Sequence, residues 1–192
     1  MSKILYAAST ASHISKFHIP YIEKLRAEGH TVMTMGKGEG ADFDIPFVKK
    51  TLSLKNLLLC RKIKRIIKDE KFDAIILNTT LAAFYIRLAI PKKNRPKVVN
   101  IVHGYLFTSD GGGLKRKVYL FCEKLLAKKT DTVLVMNSDD MKIATENRLA
   151  AGEVKMTRGM GAHVAEEKTS ASDVRKYLGA EGKPLRPNWK RQ

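Results

Sequence analysis

His103 ends an apolar run in the stretch NIVHGYLFTSDGGG (Asn100–Gly113), ahead of Gly104, aromatic residues and three glycines. An imidazole at a strand end can take a proton from a hydroxyl, or donate a hydrogen bond to a hydroxyl or phosphate. Gly104 permits close backbone approach or a positive φ. The same residues also suit a strand that merely stops and turns. A second polar group lies in AASTASHISKF, where Ser9, Thr10, Ala11, Ser12 and His13 span a strand-to-helix joint. Such a joint can aim backbone N–H groups at an anion; a Ser/Thr-rich N-cap is the plainer alternative. Asn78, Thr79 and Thr80 follow another apolar run and offer either a polar cap or hydrogen bonds to sugar hydroxyls.

Other patterns narrow the chemistry. The first joint contains no glycine, so it is neither a dinucleotide fingerprint nor a P-loop. GKGEG (Gly36–Gly40) lacks the Lys-Ser/Thr ending of a P-loop and reads as a flexible loop. No Cys/His group has metal-ligand spacing, so neither a metal nor another cofactor is expected. Cys60 and Cys122 fall in helical apolar patterns and read as reduced core thiols.

These groups need elements to hold them. KILYAAS, HTVMTM, FDAIILNT, KVVNIVHG and DTVLVMN are apolar runs of strand length, with DIPFVKK and EVKMTRGMG as shorter candidates. Between them run helical patterns. SKFHIPYIEKLRAEGH places Phe17, Tyr21, Ile22 and Leu25 on one face, with Pro20 in the first turn and Gly29 as the stop. SLKNLLLCRKIKRIIKDEK takes Ser53 as N-cap, TLAAFYIRLAI is closed by Pro91, and LKRKVYLFCEKLLAKKT follows. SDDMKIATENRLA takes Ser138 as N-cap. Strand and helix alternate throughout, and continuous apolar strands indicate a parallel sheet covered on both faces. The class is α/β, Rossmann-like and doubly wound, in which ligands bind at the carboxyl ends of strands. Residues 1–165 form this domain; 166–192 read as a linker-like helix and an irregular tail.

The chain carries a net charge of +17, and residues 51–130 hold 18 Lys and Arg against five acids. An anionic partner is indicated. In Leu52–Lys71, Leu54, Leu58, Leu59, Ile63, Ile66 and Ile67 share a broad face. Lys55, Arg61, Lys62, Lys64, Arg65 and Lys68 lie largely elsewhere, either as a solvated side or facing an anionic membrane. No aromatics interleave with these cations, so nucleic acid is not the expected partner; a basic nucleic-acid-binding α/β module remains the weaker rival. A nicotinamide-dependent oxidoreductase would need a glycine fingerprint that is absent. No run is long enough to span a membrane, and the amino terminus reads as a first strand rather than a signal peptide.

The order of motifs resembles the N-terminal half of a family 4 glycosyltransferase of the GT-B fold, most of all the bacterial enzymes of capsular and exopolysaccharide assembly. The carrying residues are KILYAASTASHISKFHIPYIEKLRAEGHTV, KFDAIILNTTLAAFYIRLA, VVNIVHGYLF, YLFCEKLLAKKTDTVLVMNSDDMKIA and GMGAHV. The resemblance implies two facing lobes. The second would hold the nucleotide-sugar donor; the first would hold a lipid-linked or oligosaccharide acceptor through Thr10, Ala11, Ser12, His13 and His103, with Asn78, Thr79 and Gly104 beside them. His103 becomes the catalytic candidate. Transfer would retain anomeric configuration without a dedicated metal, in the cytoplasm at the inner face of the plasma membrane, where the basic helix would sit.

The sequence departs from the family pattern at Asn78, where relatives often carry His, and at Ala162-His163, where an aliphatic-Asp pair is common. The second lobe is expected to be missing or separate, so full transfer by this chain alone is not expected. A non-catalytic, acceptor-presenting partner of a split glycosyltransferase is the alternative.

Overall fold

The structure, a computed structural model, describes residues 1–50, 53–91, 93–105 and 113–157. They belong to one unit, Met1–Met160. Residues 106–112, which hold most of the SDGGG loop, lie outside the described residues, as do GMGAHV and the tail that follows.

The elements run β1 (Lys3–Thr10), α1 (Ala11–Phe17), α2 (Ile19–Ala27), β2 (Thr31–Lys37), β3 (Phe43–Asp44), α3 (Leu54–Glu70), β4 (Ala74–Leu77), α4 (Thr80–Ala89), β5 (Lys97–Val102), α5 (Gly113–Ala127), β6 (Thr132–Val135), α6 (Ser138–Glu146) and β7 (Glu153–Met156). The seven strands form one sheet in the order β3-β2-β1-β4-β5-β6-β7. Every pairing is parallel, with Leu5 opposite Met33 on one side and Ile75 on the other. The chain winds outward from β1 to β3, then crosses back to β4 and winds the other way. Sheets of this kind open a crevice where that reversal falls, here between β1 and β4 at their carboxyl ends.

Burial follows the period-two alternation of strands. Leu5 and Ala7 of β1 join Ile75, Leu77 and Val98 under α3 and α4, with Ile63, Ile67, Ala82 and Ile86. Ile4, Tyr6 and Ala8 face the other way and meet Ile14, Ile22 and Val32. A third cluster joins Val102, Val133 and Val135 to Ala144 and Leu149. The two faces differ. On the α1–α2 side, Ile76, Val99, Ile101 and Leu134 are only half-buried and line an open groove of about 370 Å³.

Several expectations change. The first helix is two: α1 ends at Phe17, and α2 begins at Ile19 with Pro20 in its first turn. Phe17 and Tyr21 are exposed, because the break rotates them off the buried face that Ile22 keeps. Gly29, at φ +88°, is the left-handed stop. In α3 the buried residues are Asn56, Ile63 and Ile67, while Leu54 and Leu58 are 81% and 65% exposed. Asn56 displaces leucine because it ties the preceding loop: its Oδ1 accepts from Val48 N at 2.8 Å and its Nδ2 donates to Val48 O at 2.8 Å. Ser53 precedes α3 as N-cap without a side-chain capping bond. Asn137, not Ser138, caps α6, with its Oδ1 accepting from Asp140 N at 2.7 Å. Both cysteines are free thiols and half-buried rather than fully in the core.

Candidate functional site

The carboxyl ends of β1, β4 and β5 are neighbours in the sheet, so Thr10, Asn78 and His103 come to one rim. Their roles divide sharply. Thr10 caps α1: its backbone is extended and its Oγ1 accepts from His13 N at 3.2 Å, while Ser12 Oγ donates to it at 3.3 Å. Ser9 is tied to the start of α4, its N donating to Thr79 Oγ1 at 2.8 Å and its Oγ lying 2.6 Å from the same atom. These bonds lock two joints that are 70 residues apart in sequence.

Asn78 is fully buried. Its backbone N donates to Ala7 O at 3.0 Å and its Nδ2 reaches the same carbonyl at 3.4 Å, leaving Oδ1 without a hydrogen-bond partner. It therefore positions β4 against β1 beneath the rim and offers no exposed contact. Gly104, at φ +129°, turns the chain away after β5. No side chain crowds it, so its backbone angle is what calls for glycine.

A cleft of about 630 Å³ opens on the β2 side of the first joint. Ser9, Thr10, Ala11 and Ser12 line it together with Lys37, Lys49 and the acidic Glu39. The GKGEG segment is thus more than a loose connector. Gly36 ends β2 against the joint itself: a Cβ there would sit 2.8 Å from Thr10 C and 2.9 Å from Ala11 N. Only glycine lets β2 pass so close, and Lys37 is carried into the cleft as a result. His13, His103, Asn78 and Gly104 do not line this cleft; the first two belong to a second cluster on the same rim.

That cluster has a member the sequence reading passed over. His13, His18 and His103 hold one ring nitrogen each within 4.8 Å of one another. Ring centroids are 5.0 Å apart for His13–His18, 6.2 Å for His13–His103 and 6.3 Å for His18–His103. In an unbroken helix, residues five apart point about 140° away from each other. The break between α1 and α2 falls at His18 and turns its side chain inward beside His13. Pro20 is the local cue for that break. His18 is wholly buried, and its Nδ1 lies 3.1 Å from Tyr6 Oη. The Nε2 atoms of His13 and His18 are buried without a hydrogen-bond partner. Burial lowers the proton affinity of all three imidazoles. The fields of His13 and His103 add to burial at His18 and bring it down to about 4. Burial also pushes the Tyr6 phenol up to about 12, against the pull of a hydrogen bond with Asn78. The cluster is therefore a set of neutral imidazoles at neutral pH.

Lys55, Arg61, Lys62, Lys64, Arg65 and Lys68 are all exposed on α3, although Lys62 Nζ is engaged with Asp44 O at 2.9 Å. Leu54, Leu57 and Leu58 are exposed on the same helix. On α5, Leu114, Val118, Phe121 and Leu125 recur at helical spacing and are exposed as well. Among the described residues, no helix is long and apolar enough to cross a membrane.

A parallel α/β sheet with a polar rim at its reversal point defines a Rossmann-like ligand-binding domain. The chain belongs to the family described as glycosyl transferase 4-like domain, whose model matches residues 21–158. It is 26% identical over 167 residues to EpsD of Bacillus subtilis (strain 168), named as a glycosyltransferase, covering 83% of this chain and 44% of that protein. It is 26% identical over 102 residues to an Escherichia coli protein named UDP-Gal:alpha-D-GlcNAc-diphosphoundecaprenol alpha-1,3-galactosyltransferase, covering 53% of this chain and 26% of that one. The chain thus spans less than half the length of these relatives. Among solved structures it matches the UDP-GlcNAc 2-epimerase of Neisseria meningitidis bound to UDP-GlcNAc, with a TM-score of 0.60, 16% identity, and coverage of 81% of this chain and 45% of that one. Acinetobacter baumannii MurG matches with a TM-score of 0.53 at 16% identity, over 87% of this chain and 48% of that chain. The fold is the N-terminal half of a GT-B architecture.

Proposed function

We propose that this chain is the acceptor-side half of a glycosyltransferase that extends a lipid-linked saccharide, working opposite a lobe that holds the nucleotide-sugar donor. One observation carries the reading: the ends of β1, β4 and β5 meet at one rim, locked by the Ser9–Thr79 bonds, with exposed His103 beside His13. In the cleft, Lys37 and Lys49 would meet the acceptor's diphosphate, and the hydroxyls of Thr10 and Ser12 would hydrogen-bond to it or to a sugar. His103, its proton affinity lowered by partial desolvation at the rim and by neighbouring His13, would take the proton of the attacking hydroxyl. The E. coli relative's name specifies a diphosphoundecaprenol acceptor, which supports a lipid-linked substrate here.

The membrane reading rests on the outer surface. Exposed leucines among the cations of α3 suit an anionic bilayer surface, where each nearby cation contributes about 1 kcal/mol. On this reading the chain would act as a peripheral protein at the inner face of the plasma membrane, with the basic side of α3 toward the lipid.

Titration with a short-chain GlcNAc-diphospho-polyprenol analogue tests the acceptor site. Saturable binding, weakened about tenfold or more by paired Lys37→Ala and Lys49→Ala, is expected. Binding that ignores this double substitution, or no binding at all, contradicts the reading. Co-sedimentation with vesicles containing anionic lipid tests the surface, and should fall as salt rises.

A further inference from the structure

We propose that His13, His18 and His103 form a binding site for a divalent transition-metal ion of the zinc class. This goes beyond acceptor binding and does not rest on it. Three features of the cluster point to a metal. Three imidazole nitrogens already lie within 4.8 Å of one another. Nitrogens around a tetrahedral zinc ion are about 3.4 Å apart, given Zn–N distances near 2.1 Å, so side-chain adjustments on the order of 1 Å would close the set.

The second feature is the state of the ligand atoms. A metal takes a ring nitrogen that has a free lone pair. His13 Nε2 and His18 Nε2 are buried and lack hydrogen-bond partners. An unmet polar atom on a wholly buried side chain is rare in a folded protein and points to something that meets it.

The third feature is the support behind His18. Metal-bound histidines usually donate their second ring N–H to an oxygen, which fixes the tautomer and aims the free lone pair. Tyr6 Oη lies 3.1 Å from His18 Nδ1 and can accept that N–H, directing Nε2 into the cluster. His103 is exposed, so a fourth coordination position faces solvent at the rim. Three protein ligands with one open position are the arrangement of an accessible zinc site. A bound ion would occupy a His103 nitrogen, making metal and proton acceptance alternatives at that residue.

The test uses the whole chain, stripped of metal and titrated at pH 7.5 with Zn²⁺ by calorimetry and with Co²⁺ by visible absorption. One ion per chain is expected, with d–d bands of a low-coordinate Co²⁺ site. His103→Ala and His13→Gln should each weaken binding on the order of 100-fold, Tyr6→Phe about tenfold, and His30→Ala not at all. His18→Gln is left out as a primary probe because its burial puts folding at risk; thermal melts of the other variants confirm that they fold. The proposal is overturned if neither ion binds, or if binding survives unchanged in both His103→Ala and His13→Gln.

Discussion

Two polar clusters in the molecule are built on opposite terms. Arg87, wholly buried on α4, meets Glu123 of α5 at 2.9 and 2.8 Å through its two terminal nitrogens. Its Nε donates to Ala83 O at 3.0 Å and one terminal nitrogen also reaches Thr130 Oγ1 at 3.3 Å. The charge is matched and the fork is filled. The histidine cluster shows the reverse: three like imidazoles, two unmet nitrogens, and proton affinities lowered by burial and by each other. A network whose atoms are met serves the fold. A network left open, on the rim where the sheet reverses, is where a ligand belongs.

Breaking the closed cluster should have the largest effect. Glu123→Ala leaves Arg87 buried and unpaired and should lower stability by about 3–5 kcal/mol in urea melts. Combining it with Arg87→Met should recover a good part of that loss, since the unpaired charge goes with it. A full loss in the double variant would mean that the pair holds α4 to α5 in some other way.

Acid sharpens the contrast. His18 takes up a proton near pH 4 in the folded chain and near 6.5 when unfolded. Between those values the unfolded chain binds more protons, so stability should fall as pH drops from 6.5 to 4. In a His18→Asn variant that still melts cooperatively, that slope should flatten across the window, leaving the part due to His13 and His103. An unchanged slope would remove His18 from the account.

Smaller effects test the supports. Gly36→Ala forces a methyl group onto the backbone of Thr10 and Ala11 and should cost about 1–3 kcal/mol, read by thermal melting. His103→Ala should change stability by no more than about 0.5 kcal/mol, because the exposed ring takes no part in the packed core. A large loss there would turn the open cluster into a second structural one.

Most of the fold could be read from the chain because local signals agreed with the global answer. Ile75, Leu77, Val98 and Val102 lie in apolar runs of strand length, and helical periods fill the gaps between them. Where reading failed, a tertiary contact had overruled a local pattern. Leu54 and Leu58 lost the inner face of α3 to Asn56, whose amide ties the loop before it. Asn137 outcompeted Ser138 as a cap by reaching Asp140 N. The site was half legible. His13 and His103 stood out by their place after strands, and the family resemblance implied one shared rim, but the approach of their rings depends on how α1 packs beside β5, which no local spacing encodes. His18 was hidden by reading α1 and α2 as one helix, and Gly36 because its tight contact is with a different strand's end.

The central claim is that the rim formed by β1, β4 and β5 holds the acceptor of a sugar transfer. The most direct measurement is the set of histidine ring resonances of the metal-free chain during titration with the GlcNAc-diphospho-polyprenol analogue. His103 and His13 should shift in a saturable way, with His30, just before β2 at the opposite edge of the sheet, unmoved. Saturation that leaves His103 and His13 where they began would contradict the claim.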